Sequence, residues 1–138
     1  MRRTVMAALA GFGAAWLQPA AAAEPPAQPA PPKVQDVAAG VWLIQGLVVP
    51  DRQPDGNTVI WQAPQGLIVM DTGRHAWHRQ AILDFAAGRH AKVAAIINSH
   101  WHLDHVSGNP ALKQAFPGAR VYASHAIEGA ISGFLASS

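Results

Sequence analysis

Apolar and polar positions change rhythm several times along the chain, and each change predicts an element. Val41-Trp42-Leu43-Ile44 is a run of β-branched and aromatic residues that stops at Gly46, which reads as a strand. Pro54-Asp55-Gly56-Asn57 forms a turn cluster before a second strand, Thr58-Val59-Ile60-Trp61. Pro64-Gln65-Gly66 connects this tightly to Leu67-Ile68-Val69-Met70, so the two runs are expected to form a hairpin ending in the turn Asp71-Thr72-Gly73. The period then lengthens. Trp77, Ala81, Ile82, Phe85 and Ala86 fall on one helical face, with Gly88 as the stop. Val93-Ala94-Ala95-Ile96-Ile97 is a continuous buried strand. Asn109-Pro110 should open a helix, with asparagine as cap and proline in the first turn. Ala111, Leu112, Ala115 and Phe116 supply its apolar face, and Pro117-Gly118 ends it. Arg120 to Ala123 reads as a short strand, and Ile127 to Leu135 opens another helix. Strands come first and alternate with helices later, an α+β pattern.

The polar segment after the buried strand carries the chemistry. His100-Trp101-His102-Leu103-Asp104-His105 places three imidazoles and a carboxylate in six positions, the side chains that bind zinc through nitrogen and oxygen. If the strand stays extended, His100 and His102 point to one side about 6.6 Å apart and can lean onto one ion. Asp104 and His105 are neighbours and need a turn, which Gly108 and the helix start at Asn109 allow, to aim at a second ion. Trp101 and Leu103 alternate with them and are expected to point into packing. A helix over the whole segment would put His102 and His105 on one face, but the strand before it and the proline after it disfavour that arrangement.

Targeting and composition change the picture at the N-terminus. Arg2 and Arg3, an apolar stretch from Val5 to Leu17 and Ala21-Ala22-Ala23 make residues 1–23 a secretory signal peptide, with a secreted or periplasmic destination and no stable membrane anchor. Residues 24–37 form a Pro/Ala-rich linker, leaving residues 38–138 for the folded part. The chain has ten Lys+Arg and eight Asp+Glu. Without Arg2 and Arg3, its formal charge falls from +2 to 0, so nucleic acid is not an expected partner. Cysteine is absent. Any metal site must therefore use His and carboxylate ligands, which argues against a zinc finger or ribbon.

The sequence resembles the metallo-β-lactamase-fold superfamily, whose signature is His-x-His-x-Asp-His. The likeness extends through Asn57-Thr58-Val59-Ile60, through Leu67-Ile68-Val69-Met70-Asp71-Thr72-Gly73, from Ser99 to Asn109 and over Val121-Tyr122-Ala123. It implies a four-layer αββα sandwich, of which residues 38–138 would be the N-terminal half. It also implies one or two Zn2+ ions at the sheet edge, with His100 and His102 as ligands of the first. Asp104 and His105 would bind the second, Asp104 doubling as the catalytic group that orients the nucleophile, and Asp71 would support the site loop. Family members add a histidine, a bridging aspartate and another histidine from their second half. His125 falls too early for these, and His75, His78 and His90 match no ligand position and are expected to be solvated.

The resemblance thus implies an exported zinc-dependent hydrolase in which zinc-bound hydroxide attacks the carbonyl of a small-molecule lactam, lactone, ester or thioester. Two other readings stay open: a truncated, non-catalytic metal-binding fragment, and an iron-dependent or glyoxalase II-like member of the same superfamily. The segment from Gln45 to Asn57 either walls the cleft, with Leu47, Val48 and Val49 offering apolar contact, or is an ordinary hairpin loop. The substrate and the oligomeric state are not specified by these residues.

Overall fold

The computed structural model describes residues 29–136, so the signal-peptide expectation for residues 1–23 lies outside the described residues. Six strands form one mixed sheet in sequence order: β1 (Val34–Ala38), β2 (Val41–Ile44), β3 (Thr58–Ala63), β4 (Gly66–Met70), β5 (Val93–Asn98) and β6 (Arg120–Ala123). Strands β1 to β4 pair antiparallel, while β4, β5 and β6 run parallel. The fold is α+β, as expected, and the described residues contribute one sheet of the sandwich with its helices. The β3–β4 hairpin turns on Pro64 and Gln65, with Ala63 opposite Gly66.

Parallel pairing requires crossovers, and helices provide them. α1 (Ala76–Gly88) links β4 to β5. α2 (Leu103–Val106) and α3 (Asn109–Ala115) link β5 to β6, and α4 (Ala126–Ala136) follows. One face of the sheet contributes Trp42, Ile44, Ile60, Leu67, Val69, Val93 and Ile96 to a core that α1 meets with Ala81, Ile82 and Ala86 and α3 with Leu112. Full burial of each large aliphatic side chain contributes roughly 1.5–3 kcal/mol, so this face fixes the two helices on the sheet. Alternate residues on the other face, among them Val41, Leu43, Val59, Trp61, Ile68 and Met70, are half-buried.

Several expectations are corrected. The linker expected over residues 24–37 ends earlier, because residues 34–37 belong to the edge strand β1, which is exposed along its length and paired through its backbone to β2. An exposed strand buries too few apolar side chains to show in a hydrophobic pattern. Asp104 and His105 sit on α2, a single helical turn entered from His102. Leu103 does not point into packing and is 55% exposed. Asn109 is not the cap of α3: Gly108 holds that position without a side-chain bond, and the Asn109 amide bonds Asn98 and Thr72 instead. No described helix is long and apolar enough to cross a membrane.

Candidate metal centre

Because β4 and β5 run parallel, their C-terminal tips lie side by side, the position where open sheets gather functional groups. Met70 pairs with Ile97, and Asp71 N–H donates to the Ile97 carbonyl at 2.9 Å. Asp71 is 6% exposed and adopts φ 61°, a left-handed conformation in which aspartate is one of the few tolerated side chains. That bend aims its carboxylate across the sheet edge. Oδ1 accepts Ser99 N–H at 2.8 Å, and Oδ2 lies 2.6 Å from Ser99 Oγ and 2.8 Å from His105 Nδ1.

The short helix carrying His105 is fixed through its main chain. The His105 carbonyl accepts from Thr72 N–H at 2.8 Å and from Asn98 Nδ2 at 3.2 Å, and it lies 3.2 Å from Thr72 Oγ1, whose proton goes to the nearer Asn109 Oδ1. Asn98 and Thr72 are in turn bonded to Asn109 at 2.8 and 2.9 Å. Gly108 N–H donates to the Gly73 carbonyl, closing α2 onto the Asp71–Gly73 turn.

The loop before β3 reaches the same place, since that antiparallel strand starts where β4 ends. Asp55 is buried and binds Arg74 N–H, His75 N–H and the Trp77 indole N–H at 2.6, 2.8 and 2.8 Å, tying the loop to the start of α1. Gly56 N–H then donates to the Asp104 carbonyl at 3.1 Å. The end of the Gln45–Asn57 segment thus packs against α2, while Val48 projects from the segment with 83% exposure.

Donor atoms meet here in pairs. His100 Nε2 and His102 Nδ1 are 3.1 Å apart, as are Asp104 Oδ2 and His105 Nε2. The His100 and His105 rings lie 3.9 Å apart between centroids, which brings the two pairs together. Among the described residues no three His, Asp or Glu side chains already surround one point. Two ligands on a tetrahedral zinc with bonds of 2.0–2.1 Å stand roughly 3.3 Å apart, close to the spacing in each pair. A Cβ at Gly56 would come within 3.0 Å of His105 Nε2, so glycine keeps that nitrogen clear. The two pairs therefore present donor atoms of the type and spacing that zinc accepts. Arg74 approaches from the other side, its guanidinium 4.0 Å from Asp104 Oδ1.

Of the remaining histidines, His90 and His125 are exposed and His75 is partly exposed, but His78, expected to be solvated, is buried. His75 stacks on Trp77 and bonds the Gln53 carbonyl at 2.7 Å. His78 is fully buried, with its ring against Gly73 and Nε2 2.7 Å from Thr58 Oγ1, which itself donates to the Asp71 carbonyl. Burial drives the His78 pKa below the ordinary 6.5, opposed by the Asp55 charge and reinforced by His75. The sign follows. An unfolded His78 takes up a proton near the ordinary value, while the folded one resists it. Its contribution to stability is therefore complete above that value and is lost as the pH falls through it towards the folded pKa. Denaturant titrations at about pH 8 and pH 5 should show an acid loss that shrinks in His78→Gln, which keeps a donor for Thr58 without the titration.

Sequence patterns identified the four clustered residues and Asp71. They passed over Asp55, Gly56, Thr58, Thr72, His78, Asn98, Ser99 and Asn109. Only the Asp-Thr-Gly turn hinted at Thr72; the others become partners through strand order rather than spacing.

The family model described as "Metallo-beta-lactamase superfamily" matches residues 52–133, more than half of the chain. The chain belongs to the metallo-beta-lactamase superfamily. Among superfamily structures, a metallo-beta-lactamase from Cronobacter sakazakii, a HARLDQ-motif mutant, is 34% identical with a TM-score of 0.54, over 72% of this chain and 36% of that one. The FIM-1 enzyme of Pseudomonas aeruginosa in its mono-zinc form shares the fold at 20% identity and TM-score 0.59, over 71% of this chain and 44% of that one. Curated superfamily relatives are named hydroxyacylglutathione hydrolases. The protein from Gloeobacter violaceus is 52% identical over 42 residues, 30% of this chain and 17% of that protein. The one from Synechococcus sp. (strain JA-2-3B'a(2-13)) is 43% identical over 54 residues, 39% and 21% of the two chains. The matches thus span about a fifth of these curated relatives and less than half of the two solved structures.

Proposed function

We propose that this chain supplies the N-terminal part of an exported, zinc-dependent hydrolase of small-molecule carbonyl compounds. The observation that carries the reading is the meeting of two donor pairs, His100 with His102 and Asp104 with His105, above one buried carboxylate. His100 and His102 would hold one ion, and Asp104 and His105 a second. When bound, such an ion acidifies water and polarises a carbonyl. Asp104 would orient the attacking water and take up its proton on a carboxylate oxygen. Asp71 holds the His105 ring, and Gly56 N–H holds the main chain at Asp104. Working zinc sites have three or four ligands, so each pair needs further donors from outside the described residues. Among carbonyl substrates we favour a thioester, because the curated relatives in hand are named hydroxyacylglutathione hydrolases. The nitrogen and oxygen donor set also suits iron(II), and metal analysis of the purified protein distinguishes the two.

His102→Ala and His105→Ala each remove one donor from a different pair. Each variant should bind zinc at least tenfold more weakly in a chelator competition. Turnover on a panel of thioesters, lactones and β-lactams should fall with it. Unchanged zinc binding and unchanged turnover in both would overturn the proposal.

A further inference from the structure

We propose that Ser99 is a positioning residue that joins His100 to Asp71 and fixes which nitrogen of His100 carries the proton. The reasoning starts from one hydroxyl with two close neighbours. Ser99 Oγ is 2.6 Å from Asp71 Oδ2 and 2.9 Å from His100 Nδ1. A serine has a single proton to donate and lone pairs with which to accept. An ionised carboxylate can only accept, so at the shorter contact the hydroxyl donates to Asp71. Its lone pair is then what faces His100, and Nδ1 must supply the proton of that bond. His100 is therefore the Nδ1–H tautomer, and its Nε2 presents a lone pair towards His102.

The same Asp71 oxygen lies 2.8 Å from Nδ1 of His105. One carboxylate oxygen thus orients an imidazole from each donor pair, one directly and the other through a hydroxyl. Ser99 N–H on the second Asp71 oxygen keeps the serine in register. In metal centres, an acceptor on the far nitrogen of a ligating histidine fixes its tautomer and strengthens it as a ligand. The relay gives Ser99 that part for His100, although the serine itself is exposed and contacts no donor pair except through this bond.

The inference deepens the metal-centre reading and is nevertheless measurable without metal. The 138-residue chain, 15N-labelled at histidine and treated with chelator, is examined by long-range 15N–1H correlation near pH 8. His100 should show the Nδ1–H pattern in the unaltered chain. It should move towards Nε2–H in Ser99→Ala and return to Nδ1–H in Ser99→Thr, which restores the hydroxyl at an exposed position. An Nε2–H signal in the unaltered chain, or a Ser99→Ala spectrum identical to it, overturns the relay. The unaltered-chain measurement decides even if the alanine variant fails to fold. A zinc titration separates the two ideas. No zinc binding by the protein supplied with its remaining donors, with the Nδ1–H signal in place, overturns the metal-centre reading and supports the relay.

Discussion

Replacing Asp71 by alanine should cost the chain about 3 kcal/mol or more of folding stability and release both imidazoles that depend on it. The carboxylate is buried and receives Ser99 N–H, Ser99 Oγ–H and His105 Nδ1–H. Hydrogen bonds to a charged group contribute roughly 1.5–3 kcal/mol each, and they do not add fully. Two of the abandoned donors lie in a partly buried site, where an unpaired group is expensive. Alanine also suits φ 61° poorly. Asp71→Asn separates these effects, because asparagine tolerates that conformation but supplies neither the charge nor a second accepting oxygen. It should stay closer to the parent in its denaturation midpoint, yet lose about 10- to 100-fold in zinc affinity, the usual effect of removing a partner from a metal-binding histidine. Equal midpoints for the alanine variant and the parent would show that the strand tip does not depend on this carboxylate.

The second large effect is expected from adding one methyl group. In Gly56→Ala the new carbon would lie 2.7 Å from the Asp104 carbonyl oxygen and 2.8 Å from His105 Cε1, well inside normal contact. Neither neighbour can easily yield, because the His105 main chain is held by Thr72 N–H and Asn98 Nδ2 and the loop by Asp55. Overpacking of this kind costs about 1–3 kcal/mol, and the displaced ring should lower zinc affinity more than tenfold. Gly88→Ala is the control. Nothing lies within 4 Å of its added carbon, and it sits at the end of α1, so it should be neutral or stabilising. If Gly56→Ala binds zinc as the parent does, the loop does not abut the site as described.

Much of this was legible in the residues, for reasons that also mark the limit. Strands β2 to β5 and helix α1 announced themselves because each buries one face against the other and so writes its period into the chain. β1 leaves no apolar period in the chain because every one of its side chains is exposed and it is held chiefly by backbone pairing to β2. The four ligand-type residues were visible as a cluster, since they are adjacent. Their helical turn was not, because α2 has no buried residue. The supporting residues are hidden for a different reason. Thr72, Asn98 and Asn109 are scattered in the chain and become neighbours only when β4 and β5 align in parallel. His78 resembled a surface histidine in a helix until the packing of Gly73 and Thr58 against its ring became visible.

The attachment of the α2 turn has one more consequence. Thr72 N–H and Asn98 Nδ2 converge on the carbonyl at position 105, while Asp71 Oδ2, Asp104 Oδ2 and the His100 ring meet the imidazole beyond it. The turn is in effect a socket whose shape does not depend on the plug. A change of side chain there alters what the turn displays while leaving the main-chain bonds from Thr72 and Asn98 in place.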